Sequence, residues 1–294
     1  HIKALEKMGA KINLDGGYIN AKGELSGTNI IFDKSSVGAT GNVMMAAINA
    51  SGTTKIENSA KEPEIDCLME FLNLMGGNIN RDKMGNIIIK GSKQLKDKIE
   101  FDVIPDRIEA GTFMIAAAMC KGKVRLNNIN PSHLSIVIDK LTESGAVIDT
   151  EESSLTIEMK KRPIPVDMST LIYPGFPTDL QAQWMALMTI ANGSSRIIDN
   201  IYTDRFTHIA ELERLGADIH LDNNLATISG VENLYGAQVM STDIRASASL
   251  VIAGLFAEGE TNISRIYHID RGYENIESKF KILGSNIARI KWFL

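Results

Sequence analysis

Two kinds of apolar pattern alternate along the chain. Ala- and Met-rich stretches, such as the one that reaches Gly122, are apolar at nearly every position and predict helices buried on all sides. Other stretches carry apolar residues on one helical face, and they end alike: Lys7-Met8-Gly9-Ala10, Leu74-Met75-Gly76-Gly77, Glu143-Ser144-Gly145-Ala146, Arg214-Leu215-Gly216-Ala217 and Ile282-Leu283-Gly284-Ser285. Strict alternation then predicts strands, as in Lys123-Val124-Arg125-Leu126 and in the ribbon from Ala146-Val147-Ile148-Asp149 to Leu155-Thr156-Ile157-Glu158.

The glycines closing the amphipathic helices stand at 9, 76, 145, 216 and 284, and a second series at 52, 122, 193 and 259 marks another helix-to-strand turn. Both series share a period of about 70 residues, too long for the common solenoids and long enough for two helices and several strands. The expected fold is therefore α/β, built from repeated units. The apolar strand pattern breaks at Pro105, where a new unit opens, so two domains are expected, residues 1–103 and 104–294. A length of 294 residues favours two domains as well.

Composition narrows the function classes. A 44% hydrophobic and 23% charged chain is that of an ordinary globular protein, and no apolar run reaches membrane-spanning length. No signal-peptide pattern stands at the start. The net charge of −5 argues against a nucleic-acid surface, so an anionic small substrate would have to be drawn in by local arginines. Cys67 and Cys120 both fall in predicted helices among apolar neighbours, which fits a reduced, cytosolic compartment. Neither stands at metal-ligand spacing from a histidine, so neither a metal nor a cofactor is expected. The chain opens at His1 inside a predicted helix over residues 2–8, with no strand or cap before it, and preceding sequence is expected.

Candidate chemistry gathers at the helix starts. Ser36, Asp106, Pro177 and Asp243 each lie 16 residues before a second-series glycine, and Thr178 and Asp179 follow Pro177 directly. In Tyr173-Pro174-Gly175-Phe176-Pro177-Thr178-Asp179 the prolines restrict the approach, and Thr178 or Asp179 is expected to cap the helix that continues through Trp184. In Asp33-Lys34-Ser35-Ser36-Val37-Gly38-Ala39-Thr40, a polar turn is expected to open a helix over residues 42–50. Its serines, lysine and free amides suit a phosphate, although an ordinary capped helix fits the same residues. Arg107, Arg205, Arg245 and Arg271 fall beside helix starts, and guanidinium forks suit a substrate that carries both carboxylate and phosphate. His208 and His268 are acid/base candidates for which packing or capping is the commoner role.

Six stretches together resemble the enolpyruvyl transferases, and among them the UDP-N-acetylglucosamine 1-carboxyvinyltransferases. They are Ser36-Val37-Gly38-Ala39-Thr40, Glu62-Pro63-Glu64-Ile65, Pro105-Asp106-Arg107-Ile108-Glu109, Phe176-Pro177-Thr178-Asp179-Leu180-Gln181-Ala182-Gln183, Asp243-Ile244-Arg245-Ala246-Ser247-Ala248-Ser249 and Tyr267-His268-Ile269-Asp270-Arg271-Gly272-Tyr273-Glu274. The resemblance implies an inside-out α/β barrel of two domains, with three repeated units in each and the substrates between them. It implies enolpyruvyl transfer from phosphoenolpyruvate to the 3-hydroxyl of UDP-N-acetylglucosamine, the first committed step of peptidoglycan synthesis. By the motif match, Asp179 is the acid/base residue. Lys34, Ser35, Ser36 and Val37, with Ile201, line the UDP-sugar site, and Arg245 and Arg271 hold phosphoenolpyruvate with Arg205 nearby. The family's further lysine and arginine for phosphoenolpyruvate, and its mobile Cys or Asp loop, have no match here; Cys67 and Cys120 do not fit that loop. The closing Trp292-Phe293-Leu294 also departs from the family's tail. The competing expectations are a 5-enolpyruvylshikimate-3-phosphate synthase, and a homologue that binds the UDP-sugar without turnover.

Overall fold

The structure, a computed structural model, describes residues 1–92 and 94–290; Trp292, Phe293 and Leu294 lie outside the described residues. The chain forms two compact units, His1–Ile104 and Pro105–Leu294. In the first unit, a helix Ile2–Lys7 and an antiparallel hairpin of Lys11–Asp15 with Tyr18–Lys22 precede one full repeat. That repeat runs strand Asn29–Ile31, helix Val37–Ala47, strand Thr53–Glu57, helix Pro63–Leu74, then strands Asn78–Arg81 and Ile87–Lys90. The first two strands pair in parallel, which requires a crossover, and the buried helix between them supplies it. The Ile87–Lys90 strand pairs antiparallel with both Thr53–Glu57 and Asn78–Arg81. Alternation places Ile56, Ile79, Ile87 and Ile89 on the face against the helices, where all are buried.

The second unit repeats this plan. Its central repeat, from strand Met168–Thr170 through helix Gln181–Met188 and strand Ser194–Asp199 to strands Asp218–Asp222 and Leu225–Ser229, has the same strand order as the sheet of the first unit. The repeat before it places helix Arg107–Met119 ahead of strands Lys123–Asn127, Val147–Thr150 and Ser154–Glu158. The repeat after it places helix Ile244–Phe256 between the parallel strands Gln238–Met240 and Asn262–Ser264. The Arg107–Met119, Gln181–Met188 and Ile244–Phe256 helices pack against one another. Every residue of Gln181–Met188 is buried, including Gln181 and Gln183, and Trp184 sits edge-on to Phe176 with ring centroids 5.5 Å apart. Apolar helices inside and half-exposed strands outside give this unit its inside-out character.

All five glycines of the first series adopt left-handed backbone, with φ between 93 and 107°, and so end their helices where a side chain would be strained. The second series is less uniform. Gly52, Gly193 and Gly259 have positive φ, whereas at the second place Lys121 takes the left-handed turn in place of Gly122. The helix expected over residues 42–50 starts earlier, at Val37, because the Ser36 side chain accepts a hydrogen bond from the Ala39 amide and caps it there. Cys67 is buried, but Cys120 ends its helix in an exposed position.

Candidate active site

Neither Thr178 nor Asp179 caps the following helix, contrary to the sequence expectation. The residues form a short 3-10 turn, Thr178–Leu180, and the helix from Gln181 has Leu180 at its N-cap with no side-chain cap bond. Their side chains are engaged elsewhere. The Thr178 hydroxyl donates to Asp199 Oδ2 at 2.7 Å. Asp179 Oδ1 accepts from Arg205 Nη1 at 2.9 Å and from Arg245 Nε at 3.1 Å. Burial alone would raise the pKa of this carboxyl; the charges of Arg245 and Arg205 outweigh it and hold the group below the usual aspartate range. Asp179 is therefore ionised at neutral pH.

Arg245 reaches this point because Asp243 caps the Ile244–Phe256 helix, accepting from the amides of Arg245 at 2.7 Å and Ala246 at 3.1 Å. Its guanidinium lies over the Tyr273 ring, 5.9 Å from the centroid. Burial opposes its charge, but Asp179 and Tyr273 beside it push its pKa above the ordinary arginine value. The buried Tyr273 hydroxyl pairs with Thr112 Oγ1 at 2.8 Å and accepts from Gln183 Nε2 at 3.2 Å. Gln183 Nε2 also donates to the Asp179 carbonyl at 3.0 Å, so the carboxylate turn and the tyrosine share one amide. Burial pushes the Tyr273 phenol up, against the opposing pull of Arg245. Arg205 lies over the Tyr202 ring at 5.4 Å.

Asp199, at the end of strand Ser194–Asp199, is fully buried. Besides Thr178, it accepts from Thr170 Oγ1 at 2.7 Å and from the amides of Ile201 at 2.9 Å and Tyr202 at 2.8 Å. Its carboxylate thus fixes the backbone around the exposed Ile201.

Arg271 is exposed and has no hydrogen-bond or ion-pair partner among the described residues, although a side chain at the adjacent Gly272 would meet Ile244 Cδ1 at 2.3 Å. Arg107 lies over the Tyr173 ring at 5.5 Å. Asp106 is a cap, accepting from the amides of Ile108 and Glu109. His208 is buried, and burial pushes its pKa down to about 4, so it is a neutral core histidine, with Nε2 3.1 Å from Met185 Sδ. In the first unit, Ser36 is the cap described above, with Ser35 half-buried beside it and Lys34 and Val37 exposed. The sequence reading missed Asp199, Thr112 and the role of Tyr273 and Gln183. The feature that sets Asp199 apart lies in the backbone and not in the sequence. The residues six positions after each second-series glycine are Asn58, Asn128, Asp199 and Arg265, and of these only Asp199 lacks the left-handed backbone.

The family model described as EPSP synthase (3-phosphoshikimate 1-carboxyvinyltransferase) matches residues 1–280. The UDP-N-acetylglucosamine 1-carboxyvinyltransferase of Pseudoalteromonas atlantica is 52% identical over 294 residues, covering 99% of this chain and 70% of its own length. The protein of that name from Thermodesulfovibrio yellowstonii is 52% identical over 292 residues, with the same coverage of each chain. Among solved structures, the enolpyruvyl transferase NikO from Streptomyces tendae superposes with a TM-score of 0.88 at 22% identity, over 97% of this chain and 71% of its own. An EPSP synthase from Acinetobacter baumannii superposes with a TM-score of 0.69 at 20% identity, over 92% and 67%. The two structural likenesses bear on the fold alone.

Proposed function

The chain belongs to the EPSP synthase family of enolpyruvyl transferases, and from that premise we propose that it transfers the enolpyruvyl group of phosphoenolpyruvate to the 3-hydroxyl of UDP-N-acetylglucosamine. The observation that carries the choice of acceptor is the 52% identity, over 99% of the chain, to an enzyme named for it. The EPSP synthase structure, at 20% identity, supports the fold and says nothing of the acceptor. The product is a precursor for peptidoglycan.

In the reaction the sugar oxygen bonds to C2 of the enolpyruvyl group, the bond from C2 to the phosphate oxygen breaks, and the hydroxyl proton must leave. Asp179 is the residue we assign to that proton. An aspartate is too weak a base to ionise a sugar hydroxyl at equilibrium, and its effect comes from position, accepting the proton as the carbon–oxygen bond forms. The geometry suits this division of labour. Both arginines bond to Oδ1, and among the described residues nothing bonds to Oδ2, which leaves that oxygen free to receive a proton. Arg245 and Arg271 are assigned to the carboxylate and phosphate of phosphoenolpyruvate, with Arg205 beside them. Fixed cationic donors of this kind offset charge that develops in the transition state. Within the first unit, Lys34, Ser35, Ser36 and Val37 are assigned to the UDP-sugar, and within the second, Ile201.

Phosphate release from phosphoenolpyruvate tests the proposal. Release that requires UDP-N-acetylglucosamine, and does not occur with shikimate 3-phosphate, is the expected result. Release with shikimate 3-phosphate alone overturns it.

A further inference from the structure

The third repeat of the chain breaks its own rule at one position. Six residues after the second-series glycine, the other repeats leave their strand through a left-handed residue: Asn58 with φ 53°, Asn128 with φ 55° and Arg265 with φ 56°. Such a residue turns the chain through its backbone conformation. Asp199 holds the equivalent place without positive φ, and its side chain does the turning. It accepts four hydrogen bonds, two from threonine hydroxyls and two from consecutive main-chain amides. A buried carboxylate costs free energy unless it is paired or hydrogen-bonded, so four donors on one such group mark a specific structural demand.

The four donors divide into two sets with different destinations. Thr178 Oγ1 belongs to the residue directly before Asp179, and it also lies 3.4 Å from Arg205 Nη1. The amides of Ile201 and Tyr202 belong to the loop after the strand. That loop leads at once to Arg205, whose own amide donates to the Tyr202 carbonyl at 3.0 Å and whose guanidinium stacks on the Tyr202 ring. Thr170 closes the arrangement from the neighbouring strand: its hydroxyl donates to Asp199 and accepts from the Asn200 amide at 2.9 Å. One carboxylate thus connects the turn bearing Asp179 to the loop bearing both its arginine partner and Ile201.

We infer that Asp199 is a positioning residue for the proposed transfer, setting Asp179 through Thr178 and setting Ile201 and Arg205 through the loop amides. The inference rests on the function proposed above for its catalytic meaning, and on the hydrogen-bond geometry for its structural content. Asp199 itself, being fully buried, touches no substrate. Its effect is on distance and angle, and small displacements of a reacting group carry large rate penalties.

The test separates these two layers. The Asp179 carboxyl is followed by carbon-13 NMR in the intact chain, with its resonance identified by its loss in Asp179→Asn. The charged groups that face it are Arg205 and Arg245, with the Tyr273 hydroxyl behind Arg245. Wild-type protein and Thr178→Ser, which keeps the hydroxyl, are expected to titrate alike, below the usual aspartate range. Thr178→Val and Asp199→Asn, which cut or reverse the link, are expected to move the midpoint up toward the ordinary value as the arginine contacts loosen. Under saturating UDP-N-acetylglucosamine and phosphoenolpyruvate, kcat in these two variants is expected to fall by roughly ten- to a hundredfold. Either an unmoved midpoint or an undiminished kcat in a folded Thr178→Val variant overturns the inference, whether or not Asp199→Asn folds. If the wild-type chain releases no phosphate with the UDP-sugar, the functional proposal is what fails, and the titration alone decides the role of Asp199.

Discussion

Replacing Asp179 by Asn tests the carboxylate in two ways at once. The substitution keeps the shape of the side chain and removes its charge. It leaves two guanidinium groups, whose side chains are only 18% and 15% exposed, without their shared anion. Removing a partner from a hydrogen bond to a charged group costs about 1.5–3 kcal/mol where water is excluded. Here the Asp179 side chain is 37% exposed, and solvent screens part of the interaction. The asparagine oxygen can still accept from one arginine, so the expected loss at pH 7 is about 1–2 kcal/mol. The sign of its pH dependence follows from the lowered carboxyl pKa. The contribution is fully present above the ordinary value of 3.8 and is lost as pH falls through the depressed folded-state value. Urea unfolding of both proteins should therefore show a gap that is constant from pH 7 to about pH 5 and closes only in stronger acid. Turnover should fall by roughly 10²–10⁴-fold, the usual effect of losing a general base, with little change in affinity for the UDP-sugar. An Asn variant with wild-type stability at pH 7 and near wild-type turnover would refute both the ion-pair and the acid/base readings.

Two further outcomes follow from the second unit. Trp184→Ala removes a fully buried indole packed on Phe176 and should lower stability by about 3–5 kcal/mol, read as a shift in the urea midpoint; an unchanged midpoint would contradict the packing described. His208, with its pKa pushed down to about 4, stays neutral while the unfolded chain takes up a proton near its ordinary value of 6.5. Its contribution to stability is therefore present above pH 6.5 and lost as pH falls toward 4, and a His208 imidazole that titrates near 6.5 by NMR in the folded protein would count against this.

What the sequence could convey depended on range. The first-series glycines were legible because a left-handed helix end is a local demand, and glycine meets it at all five places. The buried helices were legible because an unbroken apolar run has no face to offer water. Local reasoning failed where a side chain had more than one possible acceptor or donor. Thr178 and Asp179 stand where capping residues usually stand, and only the fold reveals that Asp199 and two arginines claim them first. At residues 35–38 the serines and glycine resemble a turn, yet Ser36 caps a helix that begins directly after it. Asp199 looks like an ordinary strand-ending acid until its backbone is compared with those of Asn58, Asn128 and Arg265.

The span of these contacts along the chain also bears on how the protein folds. Thr112 and Tyr273 meet across 161 residues, Gln183 and Tyr273 across 90, and Asp179 and Arg245 across 66. Each closure costs chain entropy that rises with the length of the loop, and none is rewarded until several repeats have already docked. By contrast, the parallel strand pair within a repeat closes over far fewer residues. The polar cluster in the second unit is accordingly expected to form late on the folding route, after the rate-limiting barrier. Substitutions at Thr112 or Gln183 should speed unfolding and leave the refolding rate nearly unchanged in stopped-flow experiments, whereas a refolding rate that drops in step with stability would place the cluster in the nucleus.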